Sequence, residues 1–124
     1  MSRKTLEQAG ICPVATTINL LSSKWKILIM RDLLTGKKRY SELKTSVVGV
    51  SQKMLTQSLR ELTADEIVDR TVYPEVPPRV EYSLTPLGES MRPVIDAMAD
   101  WGSEYLATHP QAMSKNERDQ SDDD

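Results

Sequence analysis

Residues 41–62 read S-E-L-K-T-S-V-V-G-V-S-Q-K-M-L-T-Q-S-L-R-E-L. Met54, Leu55, Leu59 and Leu62 recur at helical spacing, which predicts a helix with one buried stripe. Ser51 stands ahead of that helix as its N-cap, and Ser41 is placed to cap a shorter helix over 41–47. The V-G-V step at 48–50 is a tight turn between them. Two helices joined by a short glycine-containing turn predict a helix-turn-helix. Opposite the apolar stripe, the second helix carries Gln52, Lys53, Thr56, Gln57 and Arg60, all hydrogen-bond donors, with no carboxylate until Glu61.

Downstream, I-V-D-R-T-V-Y and R-V-E-Y-S-L-T read as two strands. In the second, Val80, Tyr82 and Leu84 alternate with Glu81 and Ser83, so one side faces a core. Pro74, Pro77 and Pro78 block ladder pairing in the connector and stiffen its tip. A hairpin directly after a helix-turn-helix is a wing, with Arg79 read at its base. Upstream, Pro13 suits the first position of a helix carrying Val14, Ile18 and Leu21 on one face. K-W-K-I-L-I-M-R-D-L-L-T-G follows, capped by Ser22 or Ser23 and stopped by Gly36; its run Ile27–Met30 is apolar nearly all round, a central core helix. K-K-R-Y at 37–40 reads as a short basic edge strand.

After Thr85 and Pro86, Leu87, Met91, Val94, Met98, Trp101 and Tyr105 form one apolar stripe of a last helical region. Ile95, Ala99, Gly102 and Leu106 form another beside it, and Pro93 splits or kinks the region near Met91–Arg92. Two stripes exceed what one small domain covers, so one docks on its own core and the other on a second subunit. The chain divides into a polar lead at 1–9, one domain over 10–108, and a tail over 109–124 whose acidic composition reads as disordered. The fold class is mainly α with a small β-hairpin wing.

With 124 residues, 39% hydrophobic and without Phe, the chain supports one modest, aliphatic core. No apolar run reaches the roughly 20 residues of a membrane span, and the start lacks a secretory h-region. The chain is read as cytoplasmic, with no membrane partner. Net charge is -2, but residues 1–60 hold eleven Lys/Arg and three Asp/Glu, against five and fifteen in 61–124. That gives +8 and then -10. A duplex feels the face presented within about 8–10 Å, so the local excess matters more than the total.

Solvated helix faces normally mix both charge signs. An anion-free face of Gln, Lys, Thr and Arg instead matches base edges: Gln on adenine, Arg or Lys on guanine, the Thr methyl on thymine. Ser51, Gln52, Lys53, Thr56, Gln57 and Arg60 are therefore the candidate recognition residues. Lys24, Lys26, Lys37, Lys38, Arg39, Tyr40, Lys44 and Arg79 are candidates for backbone and wing contacts, with ordinary surface cations as the alternative. The single cysteine, Cys12, excludes an internal disulfide framework. It reads either as a small apolar filler or, at the positive end of a helix, as a reactive sensor thiol. There is no Gly-rich phosphate loop, no metal-spaced Cys/His set and no nucleophile–base pair; His109 is the only histidine. Catalysis, a cofactor and a metal are not expected, and the sequence names no small-molecule effector.

The combination C-P, S-K-W-K-I-L-I, K-K-R-Y-S-E-L, V-S-Q-K-M-L-T-Q-S-L-R-E-L, Y-P-E-V-P-P-R-V-E-Y-S-L-T-P-L-G and A-D-W-G-S-E-Y resembles the HxlR family of bacterial winged helix-turn-helix transcription regulators. The resemblance covers about residues 10–106. It implies a homodimer on a pseudo-palindromic operator in double-stranded DNA, joined through its first and last helices. Val14, Ile18, Leu21, Val94, Ile95, Met98, Trp101, Gly102 and Tyr105 are the expected interface. Some relatives sense electrophiles or oxidants through the cysteine before the proline, here Cys12. The routes open to Cys12 are a link to the same residue across the dimer, a mixed disulfide with a small thiol, or alkylation. Two departures stand out. Asp65-Glu66 replaces the usual Asp-Gly after the recognition helix, implying strain or a different cap, and the second, resolving cysteine of many sensing relatives is missing. Two rival readings are a thiol-redox enzyme using Cys12 and a winged-helix adaptor that binds only protein.

Overall fold

The computed structural model describes residues 2–113. The chain begins with α1 (Arg3–Gln8), α2 (Pro13–Leu20) and α3 (Lys24–Leu33). Then come β1 (Lys38–Arg39), α4 (Tyr40–Ser46), α5 (Gln52–Ala64), β2 (Val68–Tyr73) and β3 (Arg79–Leu84). It closes with α6 (Pro86–Glu89) and α7 (Arg92–Thr108). This is a mainly α fold with a three-stranded antiparallel sheet in the order β1-β3-β2. Register runs from Val68 opposite Leu84 to Tyr73 opposite Arg79, with Lys38 opposite Tyr82 on the other side of β3.

The core lies between α3, α4, α5 and the sheet. Ile29, Met30 and Leu33 of α3 meet Leu43 and Val47, Leu55, Leu59 and Leu62 of α5, and Val68 and Tyr82. α5 has its apolar stripe where the spacing puts it, with Met54 half-buried at its edge. Local sequence sets the ends. Ser51 Oγ accepts from the Met54 amide at 3.1 Å, and Ser23 Oγ accepts from Lys26 N at 3.4 Å. Gly36 takes φ 134° and Gly49 φ 88°, the turns that end α3 and join α4 to α5.

Several details differ from the sequence reading. The polar lead includes α1, whose cap is Ser2, accepting from the Thr5 amide at 3.2 Å. α4 starts one residue early: Arg39 is its N-cap, not Ser41, and the Arg39 amide donates to Glu42 Oε1 at 2.9 Å. The first turn is thus tied by a carboxylate three residues on. Arg79 pairs with Tyr73 at the loop end of the hairpin, so it lies towards the wing tip rather than its base. Pro93 does split the last helical region, leaving Ser90 and Met91 between α6 and α7.

Two residues assigned to a subunit interface are inside the protomer. Leu21 closes α2 and turns into the core, and Ile95 docks the first turns of α7 on it. Neither is available to a partner. Beyond Ile95, α7 buries almost nothing: Val94, Met98, Trp101 and Tyr105 are exposed and Gly102 is half-buried. Val14 and Ile18 of α2 are also exposed. Past α7, His109 stacks on Tyr105 with centroids 4.4 Å apart, and Ala112 and Met113 donate back to His109 and Pro110. The acidic stretch of the predicted tail, 114–124, lies outside the described residues.

Candidate nucleic-acid interface

α5 is held from behind by Leu55, Leu59 and Leu62, which leaves its other side to solvent. Ser51, Gln52, Lys53, Thr56, Gln57 and Arg60 line one shallow, open hollow on that side. Thirteen residues at 1.5 Å each make a rod of about 20 Å, and its diameter of about 10–12 Å with side chains matches a major groove about 12 Å wide. Among the described residues no ion pair engages Lys53 or Arg60.

Tyr40, the first residue of α4, clamps this helix. Its hydroxyl donates to the Gln52 carbonyl at 3.1 Å and lies 3.0 Å from Thr56 Oγ1. A phenol has one proton. With that proton on Gln52, the Thr56 hydroxyl donates to Tyr40, which leaves its methyl and a lone pair to offer. Thr56 is thus a methyl and acceptor contact rather than a donor. Tyr40 brings β1 beside the start of α5, and with it Lys37, Lys38 and Arg39. Lys37 lies 3.7 Å from Glu81, while Arg39 and Lys44 are exposed.

Lys26 is not a phosphate contact. Its side chain is 6% exposed, and its ammonium sits 2.9 Å from Glu61 Oε2 and donates to Ser22 Oγ at 3.3 Å. A phosphate outside the molecule has no path to it. Glu61 is 47% exposed and also accepts from Gln57 Nε2 at 3.4 Å through its other oxygen. The Lys26 hydrogen bond first, then that of Gln57, then the Lys26 charge hold its carboxyl below the ordinary value of 4.5. Lys24, on the same helix, is half-buried with its ammonium 4.6 Å from the Trp25 ring centroid. On the wing, Arg79 stacks 4.0 Å over Tyr73 and lies 3.4 Å from Glu75, which holds its guanidinium near the hairpin tip.

Residues 20–110 match the family described as HxlR-like helix-turn-helix. The chain belongs to that family. An HTH-type transcriptional regulator of Bacillus subtilis, YdeP, is 47% identical to this HxlR-like chain over 94 residues, 76% of this chain and 73% of that one. The Synechocystis regulator sll1512 is 46% identical over 100 residues, 81% and 74% of the two chains. Among solved structures, the redox regulator HypR in its reduced form superposes with a TM-score of 0.75 at 40% identity, covering 80% of this chain and 98% of that one. Reduced YodB from B. subtilis superposes at 0.66 with 38% identity, covering 77% and 94%. The chain is a transcriptional regulator of helix-turn-helix type with the winged-helix fold of these neighbours.

Cys12 is exposed and stands as the N-cap residue of α2, with its side chain making no capping hydrogen bond. A second feature was not visible in the sequence as one surface. Lys24, Ile27 and Leu28 of α3 face Pro93, Val94, Ala97, Met98 and Trp101 of α7 across an apolar groove of about 860 Å³. The signal lay in the excess of apolar stripes on the last helix, but the α3 side of the groove needed the fold. Among the described residues, no helix is long and apolar enough to cross a membrane.

Proposed function

We propose that this HxlR-like chain acts in the cytoplasm as a homodimer that binds a pseudo-palindromic operator in duplex DNA, works by binding rather than catalysis, and regulates transcription. The observation that carries the reading is the face of α5: six residues rich in hydrogen-bonding groups line one hollow, without a carboxylate among them. In a dimer, the two copies of α5 enter successive major grooves about 34 Å apart. Gln52, Lys53, Thr56 and Gln57 lie nearest the helix start; Gln52, Thr56 and Gln57 read bases, while Lys53, with Ser51 and Arg60, holds the phosphates beside them. Lys37, Lys38, Arg39, Lys44 and the wing Arg79 hold phosphates and fix the register. The exposed side chains of α2 and α7 supply the subunit contact. The test is selection of duplexes from a random pool, followed by footprinting on the DNA flanking its own gene. Recovery of a two-fold-related motif supports the reading, and equal binding of all sequences would sink it.

Cys12 supports a second element of the proposal, a thiol that responds to oxidants or electrophiles. It is exposed, it stands as the N-cap of α2 with its side chain making no capping hydrogen bond, and the structural neighbours include redox regulators. Lacking a resolving cysteine, the chain has Cys12 of a second copy, a small thiol or an alkylating agent as its reaction partners. Intact mass spectrometry after mild oxidant, alongside DNA binding, checks this. A thiol that stays reduced while affinity holds ends the idea.

A further inference from the structure

Four residues, three on α3 and α5 and one just ahead of α3, connect end to end. Ser22 Oγ accepts from Lys26 Nζ at 3.3 Å, and Lys26 Nζ meets Glu61 Oε2 at 2.9 Å. Glu61 Oε1 in turn accepts from Gln57 Nε2 at 3.4 Å. The first two residues belong to α3 and its approach, the last two to α5. We propose that the pair Lys26–Glu61 is a specificity-determining support: it fixes the Gln57 amide in the one orientation that selects adenine. The inference rests on the reading of α5 as a DNA-recognition helix and adds which residue sets the preference at one base pair.

The chemistry runs outward from the buried end. A lysine with 6% of its side chain exposed needs its charge matched, and Ser22 and Glu61 are the groups that meet it. Glu61 is therefore pinned by a neighbour that cannot follow it into solvent. An ionised carboxylate only accepts hydrogen bonds, so the Gln57 atom facing it has to be the amino group. One amide proton is then committed to Glu61. The carbonyl oxygen and the other amide proton remain for the groove, an acceptor beside a donor. Adenine shows the complementary pair, the N6 amino group and N7. A free glutamine keeps both amide protons and can aim them at guanine N7 and O6; committing one of them to Glu61 removes that option. It also accounts for a carboxylate beside a face otherwise free of them, because Lys26 offsets its charge from inside.

The experiment selects duplexes from a random pool with four full-length proteins: the unaltered chain, Gln57→Ala, Glu61→Gln and Lys26→Met. Replacing a buried ion-pair member by an apolar side chain of similar length risks the fold, so thermal unfolding is recorded for each. Glu61→Gln changes a half-exposed residue and keeps the test sound if Lys26→Met does not fold. The unaltered chain is expected to select adenine at one position of each half-site, and Gln57→Ala to lose that preference there. Glu61→Gln and Lys26→Met should lower the preference at the same position about tenfold and leave the other positions as they were. A general loss of stability would weaken every position alike. If Glu61→Gln keeps the full preference that Gln57→Ala abolishes, the support role is overturned while the DNA reading stands. If Gln57→Ala changes no position, Gln57 reads no base and the inference fails with it. If the unaltered chain selects nothing, the DNA reading itself is lost.

Discussion

Glu66 sits at φ 61°, the one non-glycine residue with positive φ among those described. Its amide donates to Thr63 O at 3.1 Å and that of Ile67 to Leu62 O at 3.0 Å, the paired bonds of a Schellman ending to α5. The apolar contact of that motif is present too, since Ile67 and Leu62 are both buried. The helix end is therefore kept in full while a glutamate bears the left-handed conformation, at about 1–2 kcal/mol. Glycine would remove that strain and give back part of the gain as unfolded-chain entropy. Glu66→Gly should stabilise by about 0.5–1 kcal/mol, read as a higher urea midpoint at unchanged slope. That something unusual stood at Asp65-Glu66 was legible through the family resemblance, which implies Asp-Gly there. Gly88 was not legible. A Cβ there would overlap the Ile67 carbonyl oxygen and lie 2.9 Å from Leu84 Cδ2. The same Ile67 oxygen accepts from the Thr85 hydroxyl that caps α6, so backbone and cap are locked together. Gly88→Ala should cost about 1–3 kcal/mol by overpacking, seen as a lower melting temperature. The demand arises from Ile67, just ahead of β2 and twenty-one residues away, which no local pattern announces.

At the scale of elements, α5 carried most of what could be read in advance. Its period, its Ser51 cap and its donor-rich face all follow from spacing within thirteen residues. Where the reading failed, the missing information was non-local. In K-W-K, Lys24 and Lys26 look equivalent, yet they differ by two residues and so point to different sides of α3. Lys26 faces Glu61, thirty-five residues on, and is drawn inward by it. This pair gives α5 a pH dependence. Glu61 has its carboxyl pKa lowered in the fold, so its contribution is present above the ordinary value of 4.5 and is lost as pH falls through the folded value. Glu61→Gln should therefore unfold more readily than the unaltered chain at pH 7, and the two urea midpoints should converge as pH drops below 4.5. Convergence at high pH instead would contradict the sign. The outward cations make a separate prediction about binding. Lys53→Ala with Arg60→Ala should lower affinity for operator and random duplex alike. The slope of log affinity against log salt should fall in magnitude by about 2, close to one unit for each phosphate contact removed.

For the molecule as a whole, charge and apolar surface are segregated, and the two halves of the proposal divide along that line. Basic and donor groups gather on β1 and α5, which the count of charges in residues 1–60 already suggested, and the wing adds Arg79. The apolar excess lies on α2, α7 and the groove between α3 and α7, where Trp101 is 70% and Ile18 61% exposed. The sequence reading had one stripe of α7 docked on its own core. The structure docks only its beginning, through Met91 and Ile95, because Pro93 starts the helix afresh and lets it leave the domain. Exposed apolar side chains in such number on one small chain suit the subunit contact proposed above. A stable homodimer buries roughly 800 Å² or more per subunit, and two projecting helices supply that readily. Replacing Met98 and Trp101 together by glutamate places charges in the centre of that contact without touching the buried core. Sedimentation should then report a particle of one 14.0 kDa chain rather than two, with the fold intact by circular dichroism. Operator affinity should fall by about 100-fold or more, because the second half-site no longer benefits from the tether that dimerisation provides, whereas affinity for an isolated half-site should hardly change. A dimer that survives both glutamates would move the subunit contact off α7.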